Sequence, residues 1–374
     1  MIPFNIPPIT GKEQKYILEA IASKKLSGDG AFNKKCVEWF KNNIGCITGN
    51  LTPSCTASLE MAFVVLDLKP GDEVIMPSFT FTSTANAVSL FGGVPVFVDI
   101  DSATLNIDLT KVENAITSKT KAIVPVHYAG ISCDMDQLQA ISQKHGLHVV
   151  EDAAQGMFAK YKGRALGSLG DLSAISFHET KNIVCGEGGA FLVNNPKLVQ
   201  KSEIVRDKGS NRQQFLRGEV DKYTWQDKGS SYLLSEISAA FLMAQLEEGK
   251  TITETRLHHW NNYFKRFYEF EKMGVLKLPT VPTYSEQNGH IFYTVFESEK
   301  LQQSVHQKLL AQEIKATTHY VPLHSSPAGK KLGRVSGSMK NSDDLPNRLL
   351  RFPMFMDLPE NSADRCYDII KSLV

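Results

Sequence analysis

A chain of 374 residues, 42% of them hydrophobic, is long enough for one large domain with its own core beside a smaller one. Lys and Arg total 41 against 40 Asp and Glu, a formal charge of +1 with no basic block to track a phosphodiester backbone, so no nucleic-acid partner is expected. The start, Met1-Ile2-Pro3-Phe4-Asn5-Ile6-Pro7-Pro8, has no basic and apolar leader, no run is apolar enough to span a bilayer, and the six cysteines are too scattered for a disulfide framework. A soluble cytoplasmic protein with reduced thiols is expected.

From about residue 50 to 195, short apolar runs alternate with stretches of helical spacing, the pattern of a parallel sheet covered by helices. Strands are predicted at Glu73 to Met76, Val94 to Val98, Ala122 to Val126 and His148 to Glu151. Helices are predicted at Ser58 to Leu66, Ser83 to Phe91, Leu109 to Ile116 and Met135 to Lys144. Two more buried strands, Ala174 to Phe177 and Ala190 to Val193, place Lys181 in the turn between them. Helical stretches at Ser235 to Glu247 and Thr251 to Met273 follow, then short strands and a helix near Leu301 to Glu313. The reading is a doubly wound α/β layer, with a large domain over 1–250 and a small C-terminal domain over 251–374.

Three local features carry chemistry. The run Thr52-Pro53-Ser54-Cys55-Thr56-Ala57-Ser58 precedes a helix, where free N–H groups and hydroxyls suit a phosphate dianion or an ordinary N-cap. Asp152 ends the strand read from His148, at the sheet edge where ligands bind, so it either holds a protonated pyridine nitrogen or caps the next turn. Lys181, in Ser176-Phe177-His178-Glu179-Thr180-Lys181-Asn182 and followed by Gly186-Glu187-Gly188-Gly189, either meets a cofactor aldehyde or is one more solvated lysine. In this order the three supply the contacts pyridoxal phosphate needs. The turn Pro77-Ser78-Phe79-Thr80-Phe81-Thr82 adds an aromatic that either stacks on the pyridine or fills the core. His258-His259 lacks the His-Glu-x-x-His spacing, and no metal is expected.

At these residues the sequence resembles the DegT/DnrJ/EryC1/StrS family of sugar aminotransferases, nearly end to end. The resemblance is carried by LTPSCTASLEMA from Leu51, GDEVIMPSFTFTSTAN from Gly71, VPVHYAG from Val124, VVEDAAQG from Val149, SFHETKN from Ser176 and DKYTW from Asp221. It implies the aspartate-aminotransferase-like architecture known as fold type I, with pyridoxal 5'-phosphate as cofactor. It implies Lys181 as the Schiff-base lysine, Asp152 as partner of the pyridine nitrogen and Gln155 near the phenolic oxygen. Phe81 matches the stacking aromatic, and the Cys55-Thr56 backbone and the Ser176 hydroxyl match the phosphate contacts. Two departures stand out. Ser54-Cys55-Thr56 replaces a common Ser-Gly-Thr, and Gly229-Ser230-Ser231-Tyr232-Leu233 replaces a Gly-Tyr-Asn-Tyr-Arg-like segment whose asparagine reaches the neighbouring subunit's phosphate, a role Ser231 would take. A homodimer with shared sites is implied. In His319-Tyr320-Val321-Pro322-Leu323-His324, Tyr320 and His324 match a segment near the substrate.

The reaction implied moves an amino group from L-glutamate to C4 of dTDP-4-dehydro-6-deoxy-D-glucose, giving the galactose-configured 4-amino sugar for cell-surface polysaccharide. Alternatives are the glucose-configured product, amination at C3, dehydratase chemistry, which in relatives replaces the lysine by histidine, and a non-catalytic sugar-nucleotide binder.

Overall fold

The computed structural model describes all 374 residues. Its centre is an eight-stranded sheet, ordered Thr48–Thr52, Gly189–Val193, Leu172–Ser176, His148–Asp152, Thr120–Ile123, Glu73–Pro77, Val94–Val98 and Arg334–Val335. Gly189–Val193 runs against both its neighbours, and every other pairing is parallel. Glu73–Pro77, Leu172–Ser176 and Gly189–Val193 are buried at every position, as expected where helices cover both faces of a sheet. The mostly parallel α/β sheet expected from the sequence is present.

Local chemistry sets the element ends. Ser54 caps the helix Cys55–Val65 by accepting the Ala57 N–H at 3.0 Å. Asp134 caps Met135–His145, which stops at Gly146 in the left-handed region (φ 66°). The strand expected over Ala122 to Val126 is instead Thr120–Ile123. Pro125 has no N–H to continue the ladder, and beyond it only Val126 makes an isolated bridge, to Asp152. The elements with no counterpart among those expected from the sequence include the helices Glu13–Ala22 and Ala31–Asn43 and the edge strand Thr48–Thr52.

A second sheet, antiparallel in the order Leu276–Lys277, Tyr293–Phe296, Leu349–Arg351, serves the C-terminal part. It packs with the long helix Gly249–Lys272 and the helices Glu299–Ala311 and Ser362–Lys371 around a cluster of 23 buried residues. The chain crosses the boundary expected at residue 250 in two places. Ile2 belongs to the C-terminal cluster and bridges to Ile314, while Arg334–Val335 adds the last strand to the large sheet.

Beneath the Asp152 strand end lies a buried polar network. Glu151 Oε1 accepts the N–H groups of Leu169 and Gly170, both at 2.6 Å, and Oε2 accepts that of Gly167 at 2.9 Å and His127 Nε2 at 3.0 Å. The Cys133 N–H points at His127 Nδ1 from 3.2 Å, which assigns the ring proton to Nε2. Burial pushes the Glu151 carboxyl up, but the His127 bond and the N–H groups of Gly170 and Gly167 outweigh it and hold the group below the usual glutamate range. Its contribution to stability is therefore present above the unfolded-state value and lost as pH falls through the folded one. In Glu151→Gln the amide NH2 faces donors whichever way it turns. We expect a loss of about 3 kcal/mol, read from the urea midpoint at neutral pH, and a flatter dependence of stability on pH in the acid range.

Candidate active site

The carboxyl ends of Glu73–Pro77, His148–Asp152 and Leu172–Ser176, the start of Gly189–Val193 and the N-terminus of Cys55–Val65 meet at one edge of the large sheet. They open onto a cavity of about 910 Å³, whose lining includes Cys55, Thr56, Phe81, Asp152, Gln155, Ser176, Lys181 and Tyr320. Eight of the ten residues singled out from the sequence thus share one cavity. Ser231 and His324 do not line it.

Asp152 is 5% exposed. Its Oδ2 accepts the Thr84 hydroxyl at 2.7 Å and its Oδ1 the Ala154 N–H at 3.2 Å. Burial nevertheless pushes the carboxyl above the usual aspartate range, against the pull of Thr84, Ala154 and Lys181. Such a group is held ionised by a cation placed directly against it. Lys181 lies in the turn between Leu172–Ser176 and Gly189–Val193, with its N–H donated to His178 O at 2.9 Å. Burial lowers the lysine's affinity for its proton, Cys55 and Asp152 oppose this, and Arg351 adds to it; the net shift is below the ordinary lysine range. The shift favours the neutral amine that carbonyl chemistry requires.

At the helix start, Ser54 Oγ takes the Ala57 N–H and Ser54 O takes that of Ser58 at 3.2 Å, whereas the N–H groups of Cys55 and Thr56 precede any acceptor in the helix. Those two donors, with the Ser176 hydroxyl and the positive helix end, suit a phosphate dianion. Burial pushes the Cys55 thiol well above its usual range, so this residue offers its backbone rather than a thiolate. Gly189 makes the arrangement possible. A Cβ there would come 2.5 Å from Ser54 C and 2.6 Å from Cys55 N, so the strand passes directly beneath the cup only because no side chain intervenes.

The wall opposite is aromatic. Phe81, 56% exposed at the N-terminus of Thr82–Ser89, has its ring 6.0 Å from that of Tyr320. Gln155 Oε1 accepts the Ala129 N–H at 2.6 Å, while Nε2 donates to Tyr320 Oη at 3.1 Å and keeps one N–H free. His319 stacks on Tyr320 with ring centroids 3.6 Å apart, and its Nδ1 meets Tyr128 Oη at 2.8 Å. His324 is instead pinned between Ser78 Oγ at 2.6 Å and Asp343 Oδ1 at 3.0 Å, where it anchors the segment carrying Tyr320 to the strand end near Phe81. Ser231 is exposed and bridges to Asp207.

Sequence reasoning does not single out Thr84, Gly189 as the floor of the cup, or Arg351. Thr84 lies two residues into a helix with nothing in its spacing to mark it, and Arg351 sits in a three-residue strand whose place over the cavity is set by tertiary packing. The fold also brings Glu360 beside His258 and His259, their ligand-type atoms within 4.8 Å of one another, a grouping invisible in the spacing. His259 Nε2 is there committed to Met356 O at 3.1 Å.

A model of the DegT/DnrJ/EryC1/StrS aminotransferase family matches residues 7–371. The chain belongs to this family. It is 32% identical over 366 residues to GDP-perosamine synthase of Caulobacter vibrioides, covering 96% of this chain and 94% of that one. It is 31% identical over 381 residues to the spore coat polysaccharide biosynthesis protein SpsC of Bacillus subtilis, covering 100% and 97%. Among solved structures, DesV of S. venezuelae, in complex with a ketimine intermediate, superposes with a TM-score of 0.89 at 28% identity, covering 100% of this chain and 98% of that one. The cofactor of this DegT/DnrJ/EryC1/StrS aminotransferase is pyridoxal phosphate, and the donor set fits it: unclaimed N–H groups for a phosphate, a buried carboxylate lacking a cation and an amine of lowered basicity. Gly189→Ala should displace the Ser54-Cys55 peptide and weaken binding of pyridoxal phosphate by about tenfold or more, measured by titrating the cofactor into apoprotein and following its absorbance.

Proposed function

We propose that the enzyme transfers an amino group from L-glutamate to C4 of dTDP-4-dehydro-6-deoxy-D-glucose, giving dTDP-4-amino-4,6-dideoxy-D-galactose for cell-surface polysaccharide. The observation that carries the reading is the convergence of Lys181, Asp152 and the free Cys55 and Thr56 N–H groups on one cavity of about 910 Å³, large enough for a cofactor and a sugar together. The choice of a 4-keto sugar nucleotide rests on the likeness of the quoted segments to family members of that activity. GDP-perosamine synthase among the relatives is named for a sugar-nucleotide product.

Pyridoxal phosphate, when bound, supplies an electron-withdrawing ring that accepts the charge left as a proton departs from the donor's α-carbon. The protein's residues divide the remaining work. Lys181 would hold the cofactor covalently, and its amine, once free, would take up that proton and hand it on. Asp152, oriented by Thr84, would keep the ring nitrogen protonated. Cys55, Thr56 and Ser176 would hold the phosphate, Phe81 would stack on the ring, and Gln155 would offer its free N–H to the phenolic oxygen. Tyr320, tied to Gln155, faces the sugar. In a homodimer the exposed Ser231 of each chain would complete the phosphate site of the other, and the exposed Trp225 nearby, 82% accessible, would be covered. No helix is long and apolar enough to cross a membrane.

The test is to incubate the purified enzyme with L-glutamate and dTDP-4-dehydro-6-deoxy-D-glucose, and to assign the product's C4 configuration by NMR. The galactose-configured amine is expected, whereas a glucose-configured or C3 amine replaces the proposal with one of its alternatives. Lys181→Ala should lower turnover by roughly 10²–10⁴-fold or more and abolish the visible band of the lysine-bound cofactor. Unchanged transamination by that variant would end the assignment.

A further inference from the structure

One ring in the cavity wall carries a nitrogen that nothing in the chain engages. His290 precedes the small-sheet strand Tyr293–Phe296 and lines the same cavity as Lys181 and Asp152. It is 7% exposed, and its other polar atoms are committed. Its backbone N–H donates to Asn288 Oδ1 at 3.1 Å, and its carbonyl accepts Arg256 Nη2 at 2.9 Å. Its Nδ1 lies 2.9 Å from Oδ1 of Asn182, the residue after Lys181. Nε2 has no partner in the chain and is not sealed among the buried polar atoms, so it opens on the cavity.

The neighbours decide which ring nitrogen carries the proton. The backbone carbonyl of Asn288 can only accept, and it lies 2.9 Å from Asn182 Nδ2, so the Asn182 amide has one allowed orientation. Its Oδ1 then faces His290, which must donate from Nδ1 and keep a bare lone pair on Nε2. Burial, with Lys181, Arg256 and Arg351 acting in the same sense, holds the ring well below the usual histidine range, so the lone pair stays unprotonated. Arg351 is itself held in place, with Nε and Nη2 both donating to Thr318 O at 3.3 and 3.0 Å. The imidazole has a rigid seat as well. Asn288 Nδ2 is tied to the carbonyls of Gln155 and Met157, both at 2.8 Å, and Arg256 Nε donates to Gly289 O at 3.1 Å.

We infer that His290 Nε2 accepts a hydrogen bond from the substrate, and that the donor is the sugar hydroxyl on the carbon next to the one aminated, a reading that rests on the keto sugar proposed above as amino acceptor. Such a sugar must bring its carbonyl carbon to the amine at Lys181, and its neighbouring hydroxyl, one carbon away, then falls within the same cavity. Lys181 is close enough to His290 to act on its protonation, so one sugar can engage both positions. A bare lone pair binds an O–H and repels a keto oxygen, so it distinguishes the hydroxyl from the carbonyl beside it. The amine of the amino donor also offers an N–H and is the other source of the bond. It arrives as a cation, however, and the charges of Lys181, Arg256 and Arg351 around the ring work against one, whereas a hydroxyl is neutral.

The test uses the holoenzyme and two variants that separate the roles of the ring nitrogens. His290→Asn keeps an N–H donor for Asn182 and has nothing at the position of Nε2. His290→Gln reaches that position with an acceptor and gives up the bond to Asn182. Each is checked for an unchanged visible band from cofactor on Lys181. L-Glutamate is followed by the spectral change of the first half-reaction, and dTDP-4-dehydro-6-deoxy-D-glucose and its 3-deoxy counterpart by the reverse change on the aminated enzyme. In the wild type we expect the apparent dissociation constant of the 3-deoxy sugar to be higher by about tenfold or more. His290→Asn should bind both sugars equally, at the wild type's value for the 3-deoxy sugar, with L-glutamate near wild type. His290→Gln should retain most of the preference. The opposite pattern, with the preference kept by His290→Asn and lost by His290→Gln, makes the ring a tether of the lysine turn and overturns the assignment. A loss confined to the L-glutamate arm supports the acceptor with an amine as its partner and overturns the hydroxyl. If neither variant keeps its visible band, the wild type's ratio between the two sugars decides, and a ratio near one overturns the proposal. A wild-type enzyme that responds to L-glutamate but to neither sugar overturns the substrate reading, and this assignment with it.

Discussion

The site depends on a buried carboxylate that the protein itself leaves short of positive charge. Asp152 has a hydroxyl and an N–H as partners, enough to orient it but too little to compensate its burial. A cation placed against it would offset that burial, and a pyridinium is one such cation. The adjacent Glu151 solves the opposite problem. In a strand consecutive side chains point to opposite faces, so the two acids at the end of His148–Asp152 lead separate lives. One turns toward the cavity unsatisfied. The other turns into the protein and is saturated by three backbone N–H groups and a histidine. The saturated acid ties the loop at residues 167–170 and the segment at His127 to the strand end, and so fixes the direction in which the unsatisfied one points.

The sheet order extends the same logic. Gly189–Val193 is the strand that runs against its neighbours, so its beginning, rather than its end, lies at the cavity edge beside the end of Leu172–Ser176. The turn joining these two strands is therefore confined to the cavity edge, and Lys181 with it. Because the reversed strand starts with a glycine beneath the Ser54-Cys55 peptide, the lysine turn and the phosphate cup are built on one contact.

Much of this is legible in the sequence, and the reasons are physical. Fully buried parallel strands read as apolar runs, and the turn residues after them mark the ligand edge, so local pattern alone places Asp152, Lys181 and the hydroxyl-rich helix start. The edge strand Thr48–Thr52 is not legible, because Thr-Gly-Asn-Leu-Thr carries neither alternation nor an apolar run and is held by pairing with a distant segment. His324 points toward the substrate in the sequence because it shares a short segment with Tyr320. The chain instead enters a turn at Leu323–Ser325, which carries the imidazole away to Ser78 and Asp343. Arg351 is silent for a related reason: an isolated arginine in a short strand has meaning only through what the fold sets in front of it.

The C-terminal part completes the electrostatics of the cavity. On the large-sheet side the groups are backbone N–H donors and one carboxylate, a pattern suited to a phosphate at one end of a ring and a protonated nitrogen at the other. On the small-sheet side the wall is Tyr320, His319 and Arg351, and burial lowers the proton affinity of His319, with Arg351 and Lys181 acting in the same sense. Neutral imidazole, phenol and a fixed guanidinium make a surface that favours an anion and does nothing to hold the proton on the lysine amine. Had the wall carried a carboxylate to pair with Arg351, the cavity would have lost that attraction, and Lys181 would have been pulled back toward its ammonium form.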